Sequence, residues 1–380
     1  MHAFLLLASL TLNAPASADD HIADGETVAV HAAAAEALAD LPPAPLSATL
    51  DDLLALPPTM RAAFERQVRD GPHGPTALFD RLVDFVFSAD GMQVRYDESA
   101  THTVAQTWLT RRANCVGFTL LFLALAREAG LPAKPQEYRR TLAWQQSSDT
   151  LFRSSHVNLR VRAGPYRYTI DVARGQVITV DEPVAIDDSR LLAHYHNNIA
   201  IELMAKRRID AALMRIEQAL RTDPGYPTHW SNAGVIRQRA GDEAGAERAY
   251  RHALDLDPDE YGTLFNLVQL LEHQHQDADA AAFRQRLQAL QRRDPLHQFL
   301  LGLGAERAGD VAQAIAHYRE AAQLHESEHR FHAALARAYL ASGDRTQAAQ
   351  SLQRARDNSR GVTAEAYAAR LESLRSQPDS

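Results

Sequence analysis

The chain has 380 residues, 46% hydrophobic and 23% charged, with a formal net charge of −8 and a single cysteine. That length suits two to three domains of ordinary globular composition. The acidic balance and the lack of a basic cluster exclude nucleic acid as the main partner, and one cysteine excludes an internal disulfide.

Residues 1–18 read as a signal peptide. An apolar run from Ala3 to Leu12 is followed by Ala14-Pro15-Ala16-Ser17-Ala18, an A-x-A cleavage pattern, and then by Asp19-Asp20. The n-region offers only the α-amino group and His2 as positive groups. The run is too short to span a bilayer, so the expectation is a periplasmic or secreted protein and not an integral membrane one. Residues 19–48 form an Ala/Pro-rich arm and linker ending in Leu41-Pro42-Pro43-Ala44-Pro45. From Thr49 to Phe87 short helical patterns are punctuated by Pro57-Pro58 and Gly71-Pro72, and Thr101 to Leu109 predicts a further helix.

Cys115 opens the next helix. From Val116 to Ala126 there is no charge and almost no polarity, which marks a helix buried on all sides. Gly130 and Pro132 stop it, and Arg127 sits in the last turn, where a cation suits the dipole. The cysteine therefore lies at the N-terminus of a core helix, where free N–H groups and the positive dipole end favour a thiolate. Arg111 and Arg112 add positive charge upstream. From this stretch alone, a small buried hydrophobe is an equally good reading.

After Pro132 the pattern alternates. Ser155 to Val161 and Tyr166 to Val172 each switch between apolar and polar residues, with Ala163-Gly164-Pro165 between them, which is a β-hairpin signal. If Gly164 and Pro165 form the turn, paired positions sum to 329 and Asp171 becomes a diagonal neighbour of His156. Cysteine, histidine and aspartate then supply a nucleophile, a base and an orienting acid, and jointly the triad Cys115, His156, Asp171 is the better reading.

These residues resemble the transglutaminase-like core, a papain-related α+β fold. The resemblance covers about residues 76–185. It rests on Tyr96-Asp97, Thr103, Arg112-Ala113-Asn114-Cys115-Val116-Gly117-Phe118, Leu125 to Ala133, Ser155-His156-Val157 and Ile170-Asp171. It implies that Cys115 is the nucleophile, His156 the base and Asp171 the carboxylate. Many members carry glycine two residues before the cysteine, where this chain has Ala113. The family includes hydrolases and members without demonstrated turnover, so the resemblance implies a thioester-type site and no particular substrate.

The second half repeats with a period of 34, from starts at 193, 227, 261, 295 and 329. Position 20 is alanine every time (Ala212, Ala246, Ala280, Ala314, Ala348), and positions 8 and 27 are small in most units. Small residues recur where two antiparallel helices cross closely, with a large partner such as Tyr250 or Tyr318 filling the gap. Trp230, Gly234, Ala246, Tyr250, Ala253 and Pro258 match the tetratricopeptide pattern. Residues 363–380 provide a capping helix and tail. Such arrays present a concave face, and Asn198, Asn232 and Asn266 at position 6 fall on it, with Phe265 and Phe299 at position 5. In the resembled family position 6, with its neighbours, can donate hydrogen bonds to a bound peptide, and the two phenylalanines would give the same groove apolar contacts; asparagine there is equally well explained as simply tolerated. Histidine pairs such as His194/His196 lack ligand spacing, so no metal is expected, and no phosphate loop implies a nucleotide cofactor.

The expectation is therefore an α+β transglutaminase-like domain over 49–190 and an all-α tetratricopeptide superhelix of five repeats over 193–362, mostly α overall. The leading function is a cysteine-dependent acyl-transfer enzyme on an amide or peptide, with hydrolysis ahead of transamidation and a protein or peptide partner held by the repeats. The alternative is a periplasmic adaptor with an inert papain-like domain.

Overall fold

The computed structural model describes residues 41–376 apart from 72–73, 140, 143, 148–149, 154–155, 173–177 and 180. The expected signal peptide and most of the arm, residues 1–40, lie outside the described residues. The described chain falls into two compact units, 41–284 and 285–376.

The first unit opens with short helices whose ends follow local chemistry. Thr49 caps α1 (Leu50–Leu54) in a reciprocal capping box with Asp52, and Pro58 starts α2 (Pro58–Phe64). A π-helical turn, Glu65–Arg69, extends α2 before α3 (Pro75–Phe87). Strand β1 (Arg95–Tyr96) follows, then α4 (Val104–Thr110), which Thr103 and Gln106 cap reciprocally. Strand β2 (Arg112–Ala113) pairs parallel with β1, placing Tyr96 opposite Ala113. Helix α5 (Cys115–Glu128) comes next, and every residue from Cys115 to Ala126 is buried, as an all-round apolar helix requires.

A four-stranded antiparallel sheet lies beside α5. Its order is β10 (Val184–Ala185), β3 (Ala133–Tyr138), β7 (His156–Ala163) and β8 (Tyr166–Ile170). Strands β7 and β8 pair Leu159 with Ile170 and Ala163 with Tyr166, the sum-329 register that a Gly164-Pro165 turn dictates. Strand β3 pairs Tyr138 with His156, so the chain leaves the sheet at one and returns at the other. Between them it forms β4 (Thr141–Leu142), β5 (Trp144–Ser147) and β6 (Thr150–Arg153); β4 pairs with β9 (Ile178–Thr179), and β5 with β6.

Helical pairs follow, starting with α6 (Asp188–Ala205) and α7 (Ile209–Thr222), then α8 (Pro227–Arg239) and α9 (Glu243–Leu256). Helix α10 (Tyr261–His273) completes the first unit with the start of α11 (Asp277–Arg293). The second unit holds the end of α11, α12 (Pro295–Arg307), α13 (Val311–Leu324), α14 (His329–Ala341), α15 (Arg345–Asp357) and α16 (Gly361–Ser376). Helices α8, α10, α12 and α14 start at residues 227, 261, 295 and 329, the starts of the 34-residue period. The small–large pairs close as the pattern requires. A Cβ on Gly234 would lie 2.4 Å from the Tyr250 ring, and one on Gly302 2.5 Å from that of Tyr318. Helix α16 packs Tyr367 and Leu371 onto Leu352 and Ala355 of α15, as a capping helix does. The chain is mostly α.

The described part of the linker is held by hydrogen bonds to three helices. Tyr195 of α6 accepts a hydrogen bond from the Ala44 N–H at 3.1 Å, Arg215 of α7 donates to the Ala44 carbonyl, and Gln106 of α4 donates to the Pro42 carbonyl at 2.7 Å.

Candidate active site

Two backbone devices set the cysteine. Asn114, extended at φ −83° and ψ −174°, caps α5 through its side-chain oxygen, which accepts from the Gly117 N–H at 3.0 Å. Its carbonyl takes the Phe118 N–H at 2.9 Å. Upstream, Arg111 adopts the left-handed conformation at φ 57° and stacks its guanidinium 3.9 Å from the Trp108 ring centroid. The chain can therefore turn before β2, and Ala113 needs no glycine-like conformation: it lies extended and buried, its carbonyl accepting from Asp97 N–H at 3.0 Å. Arg112, expected to lend its charge to the cysteine, forms an ion pair with Asp97 instead.

The segment from Ala100 to His102 lies on the first turn of α5. A Cβ on Gly117 would sit 3.1 Å from the His102 backbone nitrogen and oxygen, so only glycine allows this approach. Asn114 Nδ2 donates to Thr101 Oγ1 at 2.6 Å, and its backbone N–H donates to the Ala100 carbonyl at 2.9 Å.

The histidine and aspartate come from β7 and the end of β8. His156 Nε2 lies 2.8 and 2.7 Å from the two carboxylate oxygens of Asp171. His156 also hydrogen-bonds Cys115, which falls to the other ring nitrogen, Nδ1. Burial pulls the imidazole towards neutrality, but the bonds to Asp171 and Cys115 and their charges outweigh it and push the pKa up to about 10. Asn158, two residues along β7 on the same face, donates to Asp171 Oδ2 at 3.3 Å and accepts from Gln136 Nε2 at 3.0 Å. Tyr138 stacks on His156 with ring centroids 5.8 Å apart. Cys115 and His156 are only 5% and 3% exposed.

Tyr96 was noted in the sequence only as part of the resemblance. Burial raises its phenol well above the ordinary value, and the charges of Cys115, Glu98, Asp171 and Asp97 add to the rise, so it stays a neutral O–H within the electrostatic reach of the site. It lies opposite Ala113, the residue two before Cys115, in the β1–β2 pair.

The groove residues divide. Asn198 and Phe265 are half-buried, whereas Asn232 and Asn266 are buried. Asn232 donates to Asn197 Oδ1 at 2.9 Å, so its side chain serves the packing of repeat on repeat. Strand β6 runs against α8 and α10, the helices that carry Asn232 and Asn266. Phe299, in the second unit, is buried against Tyr318 and Phe331, with ring centroids at 5.6 and 5.1 Å. Of the five, Asn198 and Phe265 are the more accessible. Among the described residues no group of three or more metal-ligating side chains is positioned to hold an ion, and no helix is long and apolar enough to cross a membrane.

A cysteine at the start of a buried helix, beside a sheet and followed by helical repeats, defines an α+β domain joined to a repeat array. Residues 62–169 match the transglutaminase-like superfamily, and residues 197–261 and 305–372 match tetratricopeptide repeats; the chain carries a transglutaminase-like domain followed by these repeats. It is similar to cellulose synthase operon protein C of Xanthomonas axonopodis pv. citri (strain 306), at 36% identity over 118 residues. That match takes in 30% of this chain and only 8% of the length of that protein. Among solved structures, MamA from Desulfovibrio magneticus RS-1 aligns at 19% identity and a TM-score of 0.26, over 44% of this chain and 94% of its own. PilF of Pseudomonas aeruginosa aligns at 16% identity and a TM-score of 0.27, over 50% and 94%. Likeness of that size carries no argument about function.

Proposed function

We propose that the chain is a cysteine-dependent acyl-transfer enzyme acting on an amide or peptide, with the repeats holding a protein partner. The observation that carries this reading is the hydrogen-bonded series Cys115–His156–Asp171, with the imidazole between the sulfur and both carboxylate oxygens. In this reading His156 takes the thiol proton and the sulfur attacks the carbonyl carbon. The C–N bond breaks as the imidazolium returns the proton to the leaving amine, and an acyl-thioester remains. Asp171 fixes the tautomer and supports the charged imidazole. The Cys115 backbone N–H and the neutral Tyr96 hydroxyl are assigned as donors to the oxyanion. Water is the acyl acceptor unless an amine is specifically bound, so hydrolysis is preferred over crosslinking. Tetratricopeptide repeats generally mediate protein–protein interaction, and Asn198 and Phe265 are the accessible residues assigned to a partner. Export, read from residues 1–18, belongs to the same proposal.

The test is incubation of the full chain with candidate exported proteins and a small labelled amine, followed by mass spectrometry. Hydrolysis or labelling that requires Cys115 is the expected result. A second reading, an inert adaptor, draws on the burial of both Cys115 and His156. It wins if no acyl-enzyme forms under any condition and Cys115 resists alkylation until the protein is denatured.

A further inference from the structure

Helix α6 opens the repeat array, yet three of its polar side chains reach back to the supports of both halves of the candidate site. On the cysteine side the hydrogen bonds run in one direction. Gly117 N–H donates to Asn114 Oδ1 at 3.0 Å, and Asn114 Nδ2 donates to Thr101 Oγ1 at 2.6 Å. Thr101 then donates twice to Glu202 Oε1 of α6, from its backbone N–H at 3.1 Å and from its hydroxyl. Every donor points towards Glu202, so this carboxylate is the acceptor that ends the series and fixes which way the threonine hydroxyl turns. A threonine hydroxyl without that acceptor is free to rotate, and the cap of α5 loses its defined partner.

On the histidine side, α6 holds β3. Glu137 is 2% exposed; its carboxylate lies 2.9 Å from His194 Nε2 and accepts from Arg190 at 3.1 Å. Its neighbours Gln136 and Tyr138 point to the other face of the strand. There Gln136 holds Asn158, which holds Asp171, while Tyr138 stacks on His156. One rigid helix is thus tied to the cap of the cysteine and to the strand behind the histidine.

We propose that Glu202 is a positioning residue for the catalytic site, so that the first repeat helix sets the distance and angle between the Cys115 sulfur and His156. The inference rests on the enzymatic reading above. It makes the repeat array part of the catalytic apparatus as well as a docking surface.

The test is the second-order rate of iodoacetamide modification of Cys115 in the full chain, with folding checked by far-ultraviolet circular dichroism and thermal melting. Glu202→Leu keeps the bulk and removes the acceptor; Thr101→Val keeps the shape and the backbone donor but removes the hydroxyl that links Asn114 to Glu202. Each is expected to slow alkylation by about 10-fold or more, the scale of a misplaced reacting group. Glu202→Gln keeps an oxygen that accepts both Thr101 donors and is expected to restore the rate to within ~2-fold of the native chain. A purely structural role would lower the melting temperature and leave the rate of the folded fraction unchanged. An unchanged rate in folded Thr101→Val or Glu202→Leu overturns this inference while leaving the enzymatic reading intact. A native Cys115 that stays unmodified until denaturation overturns the enzymatic reading itself, and the role of Glu202 with it.

Discussion

Replacing Asp171 by asparagine removes one acceptor and adds a donor at the point where two donors converge. In the native site His156 Nε2–H and Asn158 Nδ2–H both point at the carboxylate, at 2.7 and 3.3 Å from Oδ2. An asparagine oxygen turned to His156 leaves its NH2 facing the Asn158 NH2. Turned the other way, it satisfies Asn158 and donates its own hydrogen to Nε2, which forces the ring proton onto Nδ1, the nitrogen facing the sulfur. In that tautomer the imidazole cannot accept the thiol proton. The charge is lost as well. Returning the imidazole from about 10 to its ordinary 6.5 removes about 5 kcal/mol of preference for the charged ring, the net of Asp171 and Cys115 acting against burial. Turnover is expected to fall roughly 10³- to 10⁴-fold, as when the orienting acid of a comparable triad is amidated. Alkylation offers an assay that needs no substrate, because Cys115 is the only cysteine in the chain. With the base in the wrong tautomer the variant should react at least ~10-fold more slowly than the native chain. The intact-mass rate at pH 6.5 checks it. A rate within twofold of native, with the fold intact, would show that Asp171 does not control the sulfur.

The same imidazole links stability to pH. Its folded pKa, about 10, lies above its unfolded value near 6.5, so its contribution is complete below pH 6.5 and drains away as pH rises through 10. Melting temperature should fall over that window in the native chain and fall less in Asp171→Asn; equal slopes would refute the assignment. In the second unit, Gly302→Ala forces a Cβ to 2.5 Å from the buried Tyr318 ring, an overpacking cost of about 1–3 kcal/mol. Gly304→Ala, on the same helix with nothing within 4 Å, should instead stabilise by up to ~1 kcal/mol. Thermal melts of the pair check both, and two changes of the same sign would refute the packing argument. Asn232→Ala strips the donor from Asn197 and leaves a buried carbonyl without it, costing about 1–3 kcal/mol. An unchanged melting temperature would return Asn232 to the list of groove residues available to a partner.

Much of the fold was legible because its signals are local or periodic. Gly164-Pro165 set a turn, the turn set a register, and the register brought Asp171 beside His156. The 34-residue spacing located the repeat helices, since small residues must recur wherever helices cross closely. The misreadings concern interactions between distant segments. Nothing local marks Glu202 as anything but a solvated helix residue, and its partner Thr101 lies 101 positions away. Arg112 read as a charge for the cysteine because Asp97 was not visible as its partner across the β1–β2 pair. Position 6 of the repeats did pick out a line of asparagines, but periodicity reports a helix face and not what covers it. There the neighbouring Asn197 engages Asn232, and β6 runs against the helices that carry Asn232 and Asn266.

The separation between Thr101 and Glu202 also bears on biosynthesis. A ribosome adding about 5–20 residues per second needs roughly 5–20 s to travel from the threonine codon to the glutamate codon. During that interval the segment containing Cys115 is already made, while the acceptor that completes its cap is not. The Ala44 backbone likewise waits for Tyr195 and Arg215. The nascent chain therefore carries Cys115 before the acceptor that ends the Asn114–Thr101 series, and that series closes only after the first repeat helix has been made.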